Sequence, residues 1–389
     1  MHCISEMKIS GRIVSCVRRK AALMFMVALT ACLEPYNPPE IKDDVNILVV
    51  DGFINSTDNS SQVYLSKAVP LSYNDAPRVV SNALVQVEEE NGTSYTLQEL
   101  ESGSYSLTNM NLNPSKRYRL SVRTNNDSKY FSDFIDLVPT PQIDSITWHA
   151  SRQQPGIDIF VNTHDGSGSS KYYRWTFEET WMYRSNYGAS YKIVRGQVEW
   201  NDLDISRCFH NKPSTEIHVG STVQLASDVI RNFPLVFIPV LSQKVSVKYS
   251  ILVKQQSLTK EAYNFWTQLK KSTESLGGLF DPLPSQVLGN MYSENNSAEP
   301  VLGYFSGGQT SEKRIFIQFS DLPPDLKLVM PPNCPIDTIV NDDIRNYPNT
   351  FLIGSYGAPF PLGYIKSEGP NCMDCRDDGG VLQRPDFWE

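Results

Sequence analysis

The 389-residue chain carries 35 Lys and Arg against 43 Asp and Glu, a net charge of −8, with 40% hydrophobic and 11% aromatic residues. Neutralising a phosphate backbone needs a local excess of cations, so this balance disfavours a nucleic-acid partner. No apolar stretch reaches the roughly 20 residues that a membrane-spanning helix needs.

In chain order, Arg18, Arg19 and Lys20 precede "AALMFMVALTA" (Ala21 to Ala31), an apolar run that stops at Cys32. A basic region, a short apolar core and small residues before a cut site form a secretory signal. Leu29-Thr30-Ala31-Cys32 has the form of a bacterial lipobox, so residues 1–31 are expected to leave and Cys32 to carry lipid. Residues 1–31 hold five basic and one acidic residue, which leaves 30 basic against 42 acidic, or −12, in the mature part. The membrane is then reached through a lipid anchor and not through a span. Residues 32–46, "CLEPYNPPEIKDDVN", have little to bury and suit a tether.

From Ile47 the chain changes to short apolar runs broken by turn residues, the rhythm of antiparallel sheets. Ile47 to Ile54 is the first predicted strand. Ala83, Val85 and Val87 alternate with Leu84, Gln86 and Glu88, and Asn91-Gly92 offers a type I′ turn into the next strand. Tyr118, Leu120 and Val122 face opposite to Arg117, Arg119, Ser121 and Arg123, as in a half-buried strand. Residues 47–138 are therefore expected to form a β-sandwich of the immunoglobulin or transthyretin kind.

Beyond a proline-flanked joint, residues 139–389 read as a larger β-rich domain. Tyr173, Trp175 and Phe177 alternate with Arg174, Thr176 and Glu178, and Val245 to Val253 show the same period. Residues 259–276 break it: Ala262, Phe265, Trp266, Leu269 and Leu276 follow helical spacing, Glu261 sits in the first turn, and Gly277-Gly278 supplies a stop. The fold class is thus mainly β with one amphipathic helix.

Chemistry is harder to find. "YFSGGQTSEKR" (Tyr304 to Arg314) lacks the spacing of a phosphate-binding loop, and Gly307-Gly308 reads as a connection between strands. There is no G-x-S-x-G, and His149 and His164 have no evident partner. No enzymatic activity, cofactor or metal is expected. Tyr172 to Trp200 holds nine aromatics in 29 residues, and an alternating strand buries only about half of its side chains. Tyr172, Trp175, Trp181, Tyr183, Tyr187 and Tyr191 are accordingly a candidate binding surface for a glycan or a peptide, with a packed core as the alternative.

Four cysteines remain in the mature chain beside Cys32: Cys208, Cys334, Cys372 and Cys375. An exported chain with an even number of thiols reads first as disulfide-bonded, and four cysteines allow three pairings. Long bridges remove more unfolded-state entropy, which favours Cys334 to one of the C-terminal pair and Cys208 to the other. A zinc site would recruit His210 or His218, and a redox C-x-x-C would need a helix after it.

The lipobox before a proline-rich tether, "LVVDGFI", "GSYSL", "KRYRLSV", "GYFSGGQTSEKRIFI" and the closing "CMDCRDDGGVLQRPDFW" together resemble domain-of-unknown-function family 4249, cell-envelope lipoproteins of Bacteroidota. The resemblance implies an outer-membrane lipoprotein with an immunoglobulin- or transthyretin-like N-terminal half, often encoded beside a TonB-dependent transporter. Lipidation carries over to Cys32, and no catalytic residue does. The implied role is a non-enzymatic accessory subunit of such an outer-membrane β-barrel protein, on the cell-surface face in preference to the periplasmic one. Leu33-Glu34-Pro35 departs from the acidic cluster that commonly follows the lipidated cysteine of surface-exported members.

Overall fold

The computed structural model describes residues 47–68, 78–90, 92–274, 287, 289–296, 299–327, 333–369 and 372–388; the signal, the tether and Cys32 lie outside them. The fold is mainly β, as its alternation predicts. In Leu48–Asn55 every second residue is buried, with Leu48, Val50 and Ile54 inward. The strand pairs antiparallel with Ser60–Lys67, which turns Val63 and Leu65 the same way. A second sheet supplies Val85 and Val87 from Leu84–Glu89, and Tyr118, Leu120 and Val122 from Tyr118–Arg123. Both sheets close on one core with Tyr105 and Phe305. Each aliphatic side chain taken fully from water contributes about 1.5–3 kcal/mol, so these two faces are the main cohesion of this part.

The hairpin expected at Asn91-Gly92 forms with a different loop. The Glu89 N–H donates to Thr93 O (2.9 Å), and Glu88 lies opposite Ser94, so residues 90–92 connect the strands where a type I′ turn would use two. Asn91 itself lies outside the described residues.

The expected division after residue 138 does not follow the strand pairing. Val301–Gly308 lies parallel to Leu48–Asn55, from Leu48 opposite Val301 to Asn55 opposite Gly308. Met291–Ser293 pairs with Lys129–Ser132. One late segment thus adds a strand to each N-terminal sheet and supplies Met291, Val301 and Phe305 to the core. Gly307 and Gly308 end a strand and do not form the expected connection. Val138 donates to Gly307 O (3.1 Å) and accepts from the Gln309 N–H (2.9 Å). A Cβ on Gly308 would lie 2.3 Å from Val138 O, so only glycine admits this approach.

After Gln309 the chain enters the second half as Thr310–Gln318. There a five-stranded sheet runs Arg207–Pro213, Tyr172–Arg184, Lys248–Ser257, Thr310–Gln318, with His218–Ser221 also paired to Tyr172–Arg184. A three-stranded sheet of Ile143–Ala150, Gly156–His164 and Val229–Pro239 shares its core, centred on Tyr173, Trp175, Tyr249 and Ile251. The joint between the halves is braced. The Thr140 hydroxyl donates to Gln309 O (2.7 Å) and accepts from the Ser257 N–H (2.9 Å).

The helix expected over residues 259–276 runs Lys260–Glu274, with Glu261 in its first turn and Lys271 in its last. The Thr259 hydroxyl accepts from the Ala262 N–H (3.2 Å), satisfying one of the open donors of the first turn. Ala262, Phe265 and Trp266 pack on Leu258 and Tyr304. The Arg174 guanidinium stacks over Trp266 at 3.6 Å and reaches Asp51 at 3.7 Å, joining the helix to both halves. Leu276 and Gly277-Gly278 lie outside the described residues.

Two small three-stranded sheets form a lobe with a core of its own. The hairpin of Tyr191–Val194 and Gln197–Trp200 pairs with Phe351–Leu352, and Ile336–Val340, Gly363–Ser367 and Gly354–Tyr356 form a second sheet. Ile193, Ile339 and Leu352 are its core. Arg195 and Gly196 both take positive φ (52° and 76°), the conformation of a two-residue primed turn.

Candidate functional site

The C-terminal C-x-x-C is divided between two partners. Cys375 is bonded to Cys208, and Cys372 to Cys334, each with Cα atoms 5.6 Å apart. Both tail thiols are consumed, so neither offers a thiolate to zinc or to redox exchange. His210, the nearest zinc candidate by sequence, stacks between Trp181 and Tyr183 at 5.0 and 5.1 Å. His218 packs on Phe177 at 5.3 Å. Among the described residues no group of three or more His, Cys, Asp or Glu is arranged to hold a metal.

From Cys375 the tail folds back on the second half. Val381 exchanges backbone hydrogen bonds with Phe209 (2.8 and 3.0 Å). Trp388 is buried against Phe209 and Phe316, with ring centroids 5.2 and 5.7 Å away. Arg314 lies 3.5 Å over Phe387. The two bridges therefore secure a segment that covers the outer side of the five-stranded sheet.

The aromatic stretch is largely covered, which corrects the expected binding surface. Trp175 is 0% exposed and donates its indole N–H to Gln255 Oε1 (2.9 Å); Tyr183 is 2% exposed and donates its hydroxyl to Cys375 O. Tyr172 is half-buried against Tyr263, Trp181 against His210, and Tyr187 donates its backbone N–H to Cys372 O. Tyr191 is half-buried between Trp200 and Tyr364. Position parity signals the two corrections: Trp175 and Tyr183 share a strand face with Tyr173 and Phe177. Of the nine aromatics, Trp200 alone stands open, at 64%.

Sequence reading missed two charged arrangements. Glu179, buried, accepts two contacts from Lys244 Nζ (2.7 Å each) and one from the Tyr249 hydroxyl (2.8 Å). Burial, with the adjacent Glu179 charge, pushes the Tyr249 hydroxyl well above its ordinary pKa. His164 does have a partner: its Nδ1 sits 2.8 Å from the Asp144 carboxylate, and that hydrogen bond raises its pKa. Both groups are open to solvent, and the pair reads as a surface contact.

Beside Trp200 is a cleft of ≈ 330 Å³, walled by Ser190, Asn201, Asp202, Leu203 and Asp204. Asn201 fixes its shape, donating from Nδ2 to Ala189 O (2.9 Å) and Leu203 O (2.8 Å), and from its N–H to Ser190 O (2.9 Å). The Ser206 hydroxyl donates to Asp204 (2.6 Å), and this bond lowers the carboxyl's pKa against the opposing effect of burial.

The model of the domain-of-unknown-function family 4249 matches residues 34–314. The chain belongs to that family. The match spans both halves of the fold, including the strand Val301–Gly308 that returns to the N-terminal sheet, and ends before the disulfide-bonded tail. No curated protein matches the chain.

Proposed function

We propose that the protein is a non-enzymatic accessory lipoprotein, tethered through Cys32 to the outer membrane on its cell-surface face, that docks on an outer-membrane β-barrel protein of the TonB-dependent type. The observation that carries this reading is the apolar edge of the small lobe. Ile336 and Val340 lie on the outward face of their strand, while Ile339 between them points into the core. Leu362 adjoins Val340 through the Asn341 N–H to Leu362 O contact (3.3 Å), and Phe360, 79% exposed, lies two residues away. Four large apolar side chains left in water on one small lobe suit a surface that meets a partner.

The approach is to the face and not to the strand edge. The Asp337 carboxylate accepts the Thr338 N–H (2.8 Å) and pairs with Lys366 (3.4 Å), which occupies a donor that strand addition would need. The disulfides support the reading as well, because a lobe that is pre-ordered loses little entropy on binding. The test is co-isolation in mild detergent through a tag between Asn295 and Asn296. A β-barrel protein should accompany the lipoprotein in near-equal amount. Recovery of the lipoprotein alone at every expression level would refute docking.

A further inference from the structure

Trp200 is anomalous because it is both exposed and fixed. Tyr191 lies opposite it in the hairpin register, and the two rings meet at 89° with centroids 5.2 Å apart. Tyr191 is braced in turn by Tyr364 at 5.7 Å and by its pairing with the buried Leu352. A side chain that floated free in solvent would have neither support. The indole is thus a pre-ordered apolar plane at the rim of a cleft whose walls are already tied by Asn201.

The other groups in the cleft accept hydrogen bonds. Asp204 is held in place by Ser206, with Arg207 at 3.6 Å behind it. The Asp202 carboxylate makes no hydrogen bond or ion pair among the described residues, and it lines the same cleft. An aromatic plane beside two carboxylates and a hydroxyl matches a ring that has an apolar C–H face and a rim of hydroxyl donors. Two negative charges oppose a sulfated or uronic ring. The volume, ≈ 330 Å³, lies at the lower end of small-ligand sites.

We propose that the cleft beside Trp200 binds a neutral pyranose ring of an oligosaccharide, with the ring stacked on the indole and its hydroxyls on Asp202 and Asp204. The site is separate from the apolar edge at Ile336, Val340, Phe360 and Leu362, so either could fail without the other.

The experiment is calorimetric titration of the full-length lipoprotein in detergent with cellohexaose, maltohexaose and mannohexaose. At least one should bind in the millimolar range or tighter. Trp200→Ala should weaken it about tenfold or more, Trp200→Phe should retain part of the affinity, and Phe360→Ser should leave it unchanged. Absence of binding by all three up to about 10 mM would overturn the proposal. So would equal affinity in Trp200→Ala, or Trp200-dependent binding of tetramethylammonium with none of the sugars. Loss of co-isolation with unchanged sugar binding would bear on docking alone.

Discussion

Removing the Cys208–Cys375 bridge is the sharpest test of how the tail is held. The two residues are fully buried and 167 positions apart. In the loop-entropy description, opening a loop of that length frees unfolded-state entropy equivalent to about 5 kcal/mol at 298 K. Strain and residual structure reduce such figures in practice, so the expected loss for Cys208→Ala/Cys375→Ala is roughly 2 to 5 kcal/mol. Alanine is the right replacement, because a serine hydroxyl at a fully buried position would add its own desolvation cost. The assay is guanidinium unfolding followed by tryptophan fluorescence, without reductant so that Cys334–Cys372 stays closed. Opening Cys334–Cys372 in its place, a loop of 38, should release the small lobe in a separate early transition and leave the main one nearly in place. A loss below about 1 kcal/mol for the first variant, or equal effects of the two on the main transition, would refute the assignment of the long bridge as the tail's anchor.

Other outcomes follow from the packing. Trp388→Ala empties the space between Phe209 and Phe316 and should cost about 3 to 5 kcal/mol, read as a lower midpoint in thermal unfolding; an unchanged midpoint would mean the tail is not seated there. Lys244→Met leaves the Glu179 carboxylate buried with only Tyr249 beside it and should cost about 3 kcal/mol, with part of that regained in the Glu179→Met/Lys244→Met double variant. Burial alone would raise the Asp165 carboxyl, but hydrogen bonds donated by Ser167, Ser169 and Ser170 outweigh it and hold it well below the usual carboxylate range. Its contribution is therefore present above the unfolded value near pH 4 and is lost as pH falls below it. Stability measured from pH 6 to pH 2 should fall less steeply in Asp165→Asn than in the unaltered protein, and parallel curves would contradict this.

Local features were legible in the sequence where one physical rule acted alone. Tyr118, Leu120 and Val122 alternate and are buried. Ala262, Phe265 and Trp266 keep helical spacing and face Tyr304. Gly307-Gly308 misled because adjacent glycines usually mark a turn, whereas here Gly308 admits the backbone of Val138, which lies about 170 positions earlier, and Gly307 the side chains of Leu137 and Ile135. The parallel pairing of Val301–Gly308 with Leu48–Asn55 is invisible to any window of local pattern. The aromatic stretch misled because a count of aromatics ignores which face each one takes. Tyr173, Trp175, Phe177, Trp181 and Tyr183 share one parity of the strand Tyr172–Arg184 and turn inward together, while Tyr172 on the other face meets the helix, so alternation did not divide the aromatics between a dry and a wet side. Trp200 could have been singled out only by knowing that Arg195-Gly196 turns the chain and ends the strand in solvent.

Docking through the small lobe is tested most directly by photo-crosslinking in intact cells. A photoreactive residue at position 360, on the apolar edge, is compared with one at position 101, on the exposed strand Gln98–Glu101 of the N-terminal half. A single adduct to an outer-membrane β-barrel protein from position 360, and none from position 101, is the expected result. No adduct at 360, or the same adducts from both positions, would contradict docking by this surface.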